Sequence, residues 1–71
     1  MRRRIYVVEA EKDGELSYWA AATAPENATR AVLDHLGPGW RARLSERTLG
    51  HEYAASLQVA AGRVRRLKYM K

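Results

Sequence analysis

Residues 4–22 have the sequence RIYVVEAEKDGELSYWAAA, and this stretch decides the fold because it predicts a β-hairpin. The β-branched and aromatic residues of 4–10 indicate a first strand, and residues 16–22 indicate the returning strand. Residues 11–15 form the predicted turn, in which the pair Asp13-Gly14 suits the positive φ angles of a tight hairpin. The chain therefore begins with two antiparallel strands.

Alternation along these strands assigns their side chains to the two faces of a sheet. Ile5 and Val7 share one face of the first strand, and Tyr6 and Val8 share the other. On the second strand the two sets are Leu16, Tyr18 and Ala20, and Ser17, Trp19 and Ala21. Apolar side chains lie on both faces, so we expect both faces to be at least partly covered.

A helix is predicted to follow the hairpin. Thr23-Ala24-Pro25-Glu26 has the pattern of a capping box, with a hydroxyl cap, a glutamate three residues later and a proline in the first turn. Apolar side chains and a histidine then recur at helical spacing, at Ala28, Ala31, Val32, His35 and Leu36. Gly37 and Pro38 predict the end of the helix.

The remaining chain predicts a third strand, a second helix and a final element that is either a strand or a helix. Trp40, Ala42 and Leu44 alternate with Arg41, Arg43 and Ser45, as in a half-buried strand. The second helix is predicted from Thr48 or Gly50 to about Gln58. We therefore predict one α+β domain over residues 1–71, in the order β-β-α-β-α-β, with an antiparallel sheet and both helices on one face.

Residues 52–67, EYAASLQVAAGRVRRL, give an alternative for the C-terminal part. Their apolar positions resemble the core of a helix-turn-helix, but Gln58 stands where that motif usually has glycine, and Gly62 would fall inside the recognition helix. The resemblance implies that Val64 and Leu67 belong to the recognition helix of the motif and make apolar contacts with its first helix. It also implies that Arg63, Arg65, Arg66 and Lys68 lie on or beside an element that enters the DNA major groove.

The positive charge is concentrated at the two ends of the chain. Residues 1–4 and 63–71 hold eight of the 13 basic residues and no acidic one, whereas residues 5–62 sum to −3. A polyanionic partner explains this asymmetry most simply. The candidate binding residues for nucleic acid or an acidic protein surface are Arg2, Arg4, Arg41, Arg43, Arg63, Arg65, Arg66 and Lys68. Arg2, Arg4, Arg65 and Lys68 would join Arg41, Arg43 and Arg47 in one continuous basic surface if the N-terminal strand lay beside the C-terminal one.

Aromatic and acidic side chains have two interpretations each. Tyr6, Tyr18 or Trp19 on an open sheet face would stack on unpaired bases, or they would belong to the core. Glu9 and Glu11 share a strand face and form either a carboxylate pair or a strand end opposite Arg or Lys across the hairpin.

Catalytic chemistry is not indicated. The chain has no cysteine, and His35 and His51 lie in different predicted helices without a neighbouring nucleophile. Neither a metal site nor a cofactor site is predicted, so we expect a protein that is not an enzyme. No apolar stretch approaches the ~20 residues of a membrane span, and we expect a cytoplasmic location.

The leading hypothesis is a small basic nucleic-acid-binding module without base specificity. A protein-interaction module is the alternative, for example a phage or mobile-element inhibitor that docks on a host nucleoprotein complex. A homodimeric accessory protein is a third possibility, because a chain of 71 residues buries a small core on its own.

Overall fold

The computed structural model describes residues 5–46, 57 and 59–68. In this part of the chain the elements are β1 (Tyr6–Lys12), β2 (Glu15–Ala21), α1 (Pro25–Leu36), β3 (Arg41–Leu44) and β4 (Val64–Arg66). These strands form one antiparallel sheet in the order β3-β1-β2-β4. The small α+β class and the antiparallel sheet are confirmed.

The hairpin turn is shorter than predicted. The β1–β2 register runs from Tyr6 opposite Ala21 to Lys12 opposite Glu15, so only Asp13 and Gly14 connect the strands. Their φ angles are 52° and 83°, as a two-residue turn with two left-handed positions requires. The five-residue turn over 11–15 was wrong because this tight turn matches the twist of the strands and lets pairing continue to Lys12.

Helix α1 begins at Pro25, as expected for a proline whose fixed φ suits the first helical position. The N-cap is Ala24, which is extended and has no side-chain hydrogen bond to the helix. The predicted capping box was wrong. A residue before proline is held in the extended region, so the helix starts one residue too late for Thr23 to cap it. The Thr23 hydroxyl instead donates to the carbonyl oxygen of Ala24 at 3.0 Å.

Gly37 ends α1, as predicted. Its backbone N–H donates to the carbonyl oxygen of Leu33 at 2.9 Å, and its φ and ψ angles are 94° and −170°. This combination lies in a region that is essentially restricted to glycine. The chain therefore leaves the helix directly into the turn that leads to β3.

Apolar side chains cover both faces of the sheet, as the alternation predicted. On the α1 face, four strand residues (Val8, Ala10, Trp19 and Ala21) pack with Ala28 and Val32 of the helix. On the opposite face, called the far face here, Val7 and Ala20 pack with Leu57 and Leu67. Leu44 was expected on the buried side of the third strand, but 43% of it is exposed because it ends a strand at the sheet edge.

The predicted second helix lies outside the described residues except for Leu57. That residue packs on the far face, whereas α1 packs on the other face. The expectation that both helices share one face is therefore wrong at the one residue that tests it. Apolar residues on both faces of β1 and β2 explain why the far face also needs cover.

Trp19 is a core residue, which agrees with the structural interpretation of the aromatic side chains. Its indole N–H donates to the Ser17 hydroxyl at 2.9 Å, and that hydroxyl lies 3.5 Å from the Ala10 carbonyl oxygen as a weaker donor. The His35 ring meets the Trp19 ring edge to face, with centroids 5.2 Å apart. Base stacking on Trp19 is excluded in this fold because the ring is buried. Tyr6 also packs against the α1-face core, while Tyr18 is half-buried on the far face.

The C-terminal element is a strand in the structure. β4 pairs antiparallel with β2, and backbone hydrogen bonds extend the pairing through Ala22 N–H to Arg63 O (3.0 Å) and Leu67 N–H to Tyr18 O (2.8 Å). The helical alternative and the second helix of the helix-turn-helix were wrong. Val64 and Leu67 go to opposite faces, which the two-sided core requires, and the strand satisfies the backbone groups at the β2 edge.

Candidate functional site

The arginines of β3 lie opposite glutamates of β1 on the far face. The register pairs Arg41 with Glu11 and Arg43 with Glu9. Arg43 donates from Nε and Nη2 to the two carboxylate oxygens of Glu9, each at 3.3 Å, and the closest nitrogen–oxygen distance is 3.2 Å. We call these four residues the arginine–glutamate ladder. Its formal charges cancel, so it has little net attraction for a polyanion.

Glu9 and Glu11 do not face basic residues across the hairpin, and that part of the prediction was wrong. Their β2 partners are Tyr18 and Leu16, and the basic residues opposite them belong to β3, on the other side of β1. The central position of β1 in the sheet explains the difference, since each of its residues has a neighbour on both sides. The matching patterns Glu-Ala-Glu and Arg-Ala-Arg are the sequence signal that would have revealed this pairing.

A second group of basic residues lies on β4 and the residues next to it. We call this group, Arg63, Arg65, Arg66 and Lys68, the basic edge, and all four are exposed. The β2 residues opposite the strand are Trp19, Ala20 and Ala21, so the register brings no carboxylate to it. The structure describes no acidic residue among 57 and 59–68. The charges of the basic edge are therefore not compensated by the strand beside them.

Arg65 differs from the other members of the basic edge. Its Nη1 donates to the backbone carbonyl oxygen of Leu57 at 2.6 Å in a partly buried contact. This charge-assisted hydrogen bond connects β4 to the residue that covers Val7 and Ala20 on the far face. The sequence had suggested only a binding role for Arg65. No sequence pattern around Arg65 predicts a hydrogen bond to the backbone carbonyl oxygen of Leu57, eight residues earlier.

The structure separates the candidate residues into two groups. The basic edge and the arginine–glutamate ladder lie at opposite edges of the sheet, three strand spacings or ~14 Å apart. The N-terminal strand does not lie beside the C-terminal one, because β2 stands between β1 and β4. The condition for one continuous basic surface is thus not met by the described strands.

Arg2 and Arg4 lie outside the described residues. The position of the first described residue, Ile5, still bears on them. Ile5 precedes Tyr6, whose partner Ala21 in turn pairs with Val64, so the start of β1 and the start of β4 lie at the same end of the sheet. Ile5 therefore lies about two strand spacings, or ~10 Å, from the start of the basic edge.

Comparison with known proteins assigns no family: no family model, no curated protein and no solved structure matches this chain. Among the described residues, no helix has the length and apolar character needed to cross a membrane. The functional argument therefore depends on the geometry of the two charged groups.

Proposed function

We propose that this protein is a small non-catalytic module that binds nucleic acid through the basic edge. The observation that carries the proposal is the contrast between the two groups of arginines. Arg41 and Arg43 face glutamates, whereas Arg63, Arg66 and Lys68 have no ion pair within the described part of the chain. Uncompensated cations on one edge attract phosphates and release their counterions.

The residues of the basic edge have different tasks in this proposal. Arg63, Arg66 and Lys68 contact phosphates, while Arg65 holds β4 against Leu57 and contributes its charge from a fixed position. Arg2 and Arg4, which precede Ile5 in the sequence, add further positive charge. Arg41 and Arg43 contribute little, because Glu9 and Glu11 would repel the same phosphates.

Binding of this kind is tolerant of base sequence. Trp19 is buried in the α1-face core and Tyr6 packs against that core, so Trp19 is not available as a stacking platform. Phosphate contacts then supply most of the affinity, which falls steeply with salt concentration. We place such a module in the cytoplasm, in keeping with the absence of cysteine.

A salt titration followed by fluorescence anisotropy tests the proposal, with short labelled duplex DNA, single-stranded DNA and duplex RNA as ligands. We expect the double variant Arg66→Gln/Lys68→Gln to reduce the slope of log affinity against log salt by about two, because two phosphate contacts are lost. The matched control is Lys12→Gln/Arg30→Gln, which removes the same charge from exposed residues away from β4.

The control should bind nearly as well as the unmodified chain. Equal weakening by both double variants would show that only net charge matters and that the basic edge is not a site. Absence of binding to all three ligands at low salt would end the nucleic-acid proposal.

A further inference from the structure

The outer edge of β3 presents a regular set of backbone groups. In an antiparallel pair, hydrogen-bonded and non-hydrogen-bonded residue pairs alternate. Ser45 N–H donates to Val7 O at 2.9 Å, and these residues continue the β1–β3 register. Arg43 and Arg41, two and four residues earlier, therefore direct their backbone groups to β1. Ala42 and Leu44 direct their N–H and C=O groups away from the sheet.

The side chains at this edge have a consistent pattern as well. Arg41 and Arg43 lie on the far face, while Ala42 and Leu44 lie on the α1 face, where 43% of Leu44 is exposed. Arg43 uses Nε and Nη2 to contact Glu9, which leaves the side of the guanidinium that carries Nη1 for a second acceptor. Its side chain is 77% exposed, so an added partner can approach it.

We propose that the β3 edge binds an extended acidic segment of a partner protein, which adds to the sheet as a further strand. The segment would place two carboxylates, two residues apart, beside Arg41 and Arg43, with small or apolar residues between and after them. Strand addition of this kind takes its affinity from backbone hydrogen bonds and its specificity from alternate side chains. This surface is separate from the basic edge proposed to bind nucleic acid.

The pairing of β1 with the inner edge of β3 suggests the sequence of a segment that would pair with the outer edge. On the inner side of β3, Glu9-Ala10-Glu11 pairs with Arg43-Ala42-Arg41, so that each arginine faces a glutamate and alanine faces alanine. A partner with the same alternation on the outer side would place each arginine between two carboxylates on the far face. Arginine can bind both, because its five N–H donors exceed what one carboxylate accepts. The backbone hydrogen bonds to Ala42 and Leu44, which a phosphate backbone cannot fully replace, offset the repulsion from Glu9 and Glu11.

Backbone chemistry favours a protein segment over nucleic acid at this edge. The outward groups of Ala42 and Leu44 include carbonyl oxygens as well as N–H groups, and phosphates can satisfy only the donors. A second strand satisfies both. A second copy of β3 is disfavoured here, since antiparallel pairing centred on Ala42 or Arg43 places arginine against arginine on the far face.

The first experiment measures binding of a labelled peptide with the sequence of Tyr6–Lys12 to the intact protein by fluorescence anisotropy. We expect the peptide to bind, and the peptide carrying Glu9→Gln and Glu11→Gln to bind at least about tenfold more weakly, because charge-assisted hydrogen bonds are lost. The protein variant Arg41→Gln/Arg43→Gln should show the same loss. The matched control Arg66→Gln/Lys68→Gln should retain peptide binding while binding nucleic acid more weakly.

The second experiment locates the peptide through amide hydrogen exchange and the variant Ala42→Pro. Proline at position 42 removes one N–H that points away from the sheet. The backbone hydrogen bonds between β3 and β1 use Arg41 and Arg43, so they are retained. We expect Ala42→Pro to lose peptide binding, and we expect the bound peptide to slow exchange at Ala42 and Leu44 in the unmodified protein. The exchange measurement decides the question even where the proline variant fails to fold.

Three results would overturn the proposal. One is undetectable binding of the glutamate peptide at low salt. A second is slowed exchange at Val64 and Arg66 instead of Ala42 and Leu44, which would place the peptide on the basic edge. The third is faster exchange at Glu9 and Glu11 of the protein without slowed exchange at Ala42 and Leu44, which would show that the peptide replaces β1 rather than adding to β3.

Discussion

Arg65 and Arg66 are adjacent in sequence but point to opposite faces of the sheet. Arg65 lies opposite Ala20 on the far face and donates to the Leu57 carbonyl oxygen, whereas Arg66 lies opposite Trp19 on the α1 face and remains exposed. Of the two side chains, Arg65 therefore contributes to the stability of the folded state, and Arg66 is available to a ligand.

Substitution by methionine separates these tasks, because it keeps the apolar stem and removes every N–H donor. We expect Arg65→Met to lower the free energy of unfolding by about 1–2 kcal/mol, since it leaves the Leu57 carbonyl without its charged donor. Arg66→Met should change that free energy by less than about 0.5 kcal/mol. Urea denaturation of both variants measures the difference, and equal losses would contradict a structural role specific to Arg65.

At the scale of the element, α1 has an unoptimised beginning. Ala24 occupies the N-cap and supplies no side-chain acceptor for the free N–H groups of the first turn. Glu26 in the first turn and His35 in the last turn agree with the helix dipole. The N-cap is therefore the position where a single substitution should improve the helix.

We expect Ala24→Ser to raise the free energy of unfolding by about 1 kcal/mol, because the hydroxyl accepts a hydrogen bond from the first turn. Thr23→Ala is the control and should have an effect below about 0.5 kcal/mol, since Thr23 donates only to an exposed neighbouring carbonyl. Thermal and urea denaturation check both values. A neutral Ala24→Ser together with a destabilising Thr23→Ala would instead identify Thr23 as the cap.

Sequence patterns predicted individual helices and strands better than they predicted which of these elements pack or pair with each other. The pair Asp13-Gly14 and the alternation around it were sufficient for the hairpin, and Gly37 was sufficient for the end of α1, because these signals act within a few residues. The C-terminal element remained ambiguous, since Val64 and Leu67 are three residues apart and suit a helix as well as a strand with two covered faces. The segment becomes a strand because it pairs with the edge of β2. That partner is distant in sequence, so the local pattern gives no information about it.

The candidate site shows the same limit. Alternation predicted that Arg41 and Arg43 share a face, but their neutralisation depends on strand order, which brings β1 next to β3. The acceptor of Arg65 likewise depends on where Leu57 packs. Counting charges along the chain identified the basic edge because those charges are close in sequence as well as in space.

Across the whole molecule, the glutamates of the inner strand β1 determine which arginines of the outer strands face a compensating charge. If Glu9→Gln/Glu11→Gln removes the carboxylates from the arginine–glutamate ladder, Arg41 and Arg43 become uncompensated. We expect nucleic-acid affinity at low salt to rise and the log–log salt slope to become steeper by about two.

The matched control for this prediction is Glu26→Gln/Asp34→Asn, which changes the net charge equally at exposed positions of α1. It should leave the salt slope nearly unchanged. The same anisotropy titration measures both variants, and an unchanged slope for Glu9→Gln/Glu11→Gln would contradict the neutralising role of the ladder.

The two outer strands of the described sheet also bear on whether copies of the molecule would join edge to edge. β3 carries Arg41 and Arg43 on the far face, and β4 carries Arg65 on that same face. Joining the β3 edge of one copy to the β4 edge of the next is the head-to-tail contact that would grow a continuous cross-β fibre. A contact in which Arg65 meets either β3 arginine brings like charges together on one face, so the arginines proposed to bind acidic partners would also oppose fibrillation of the protein.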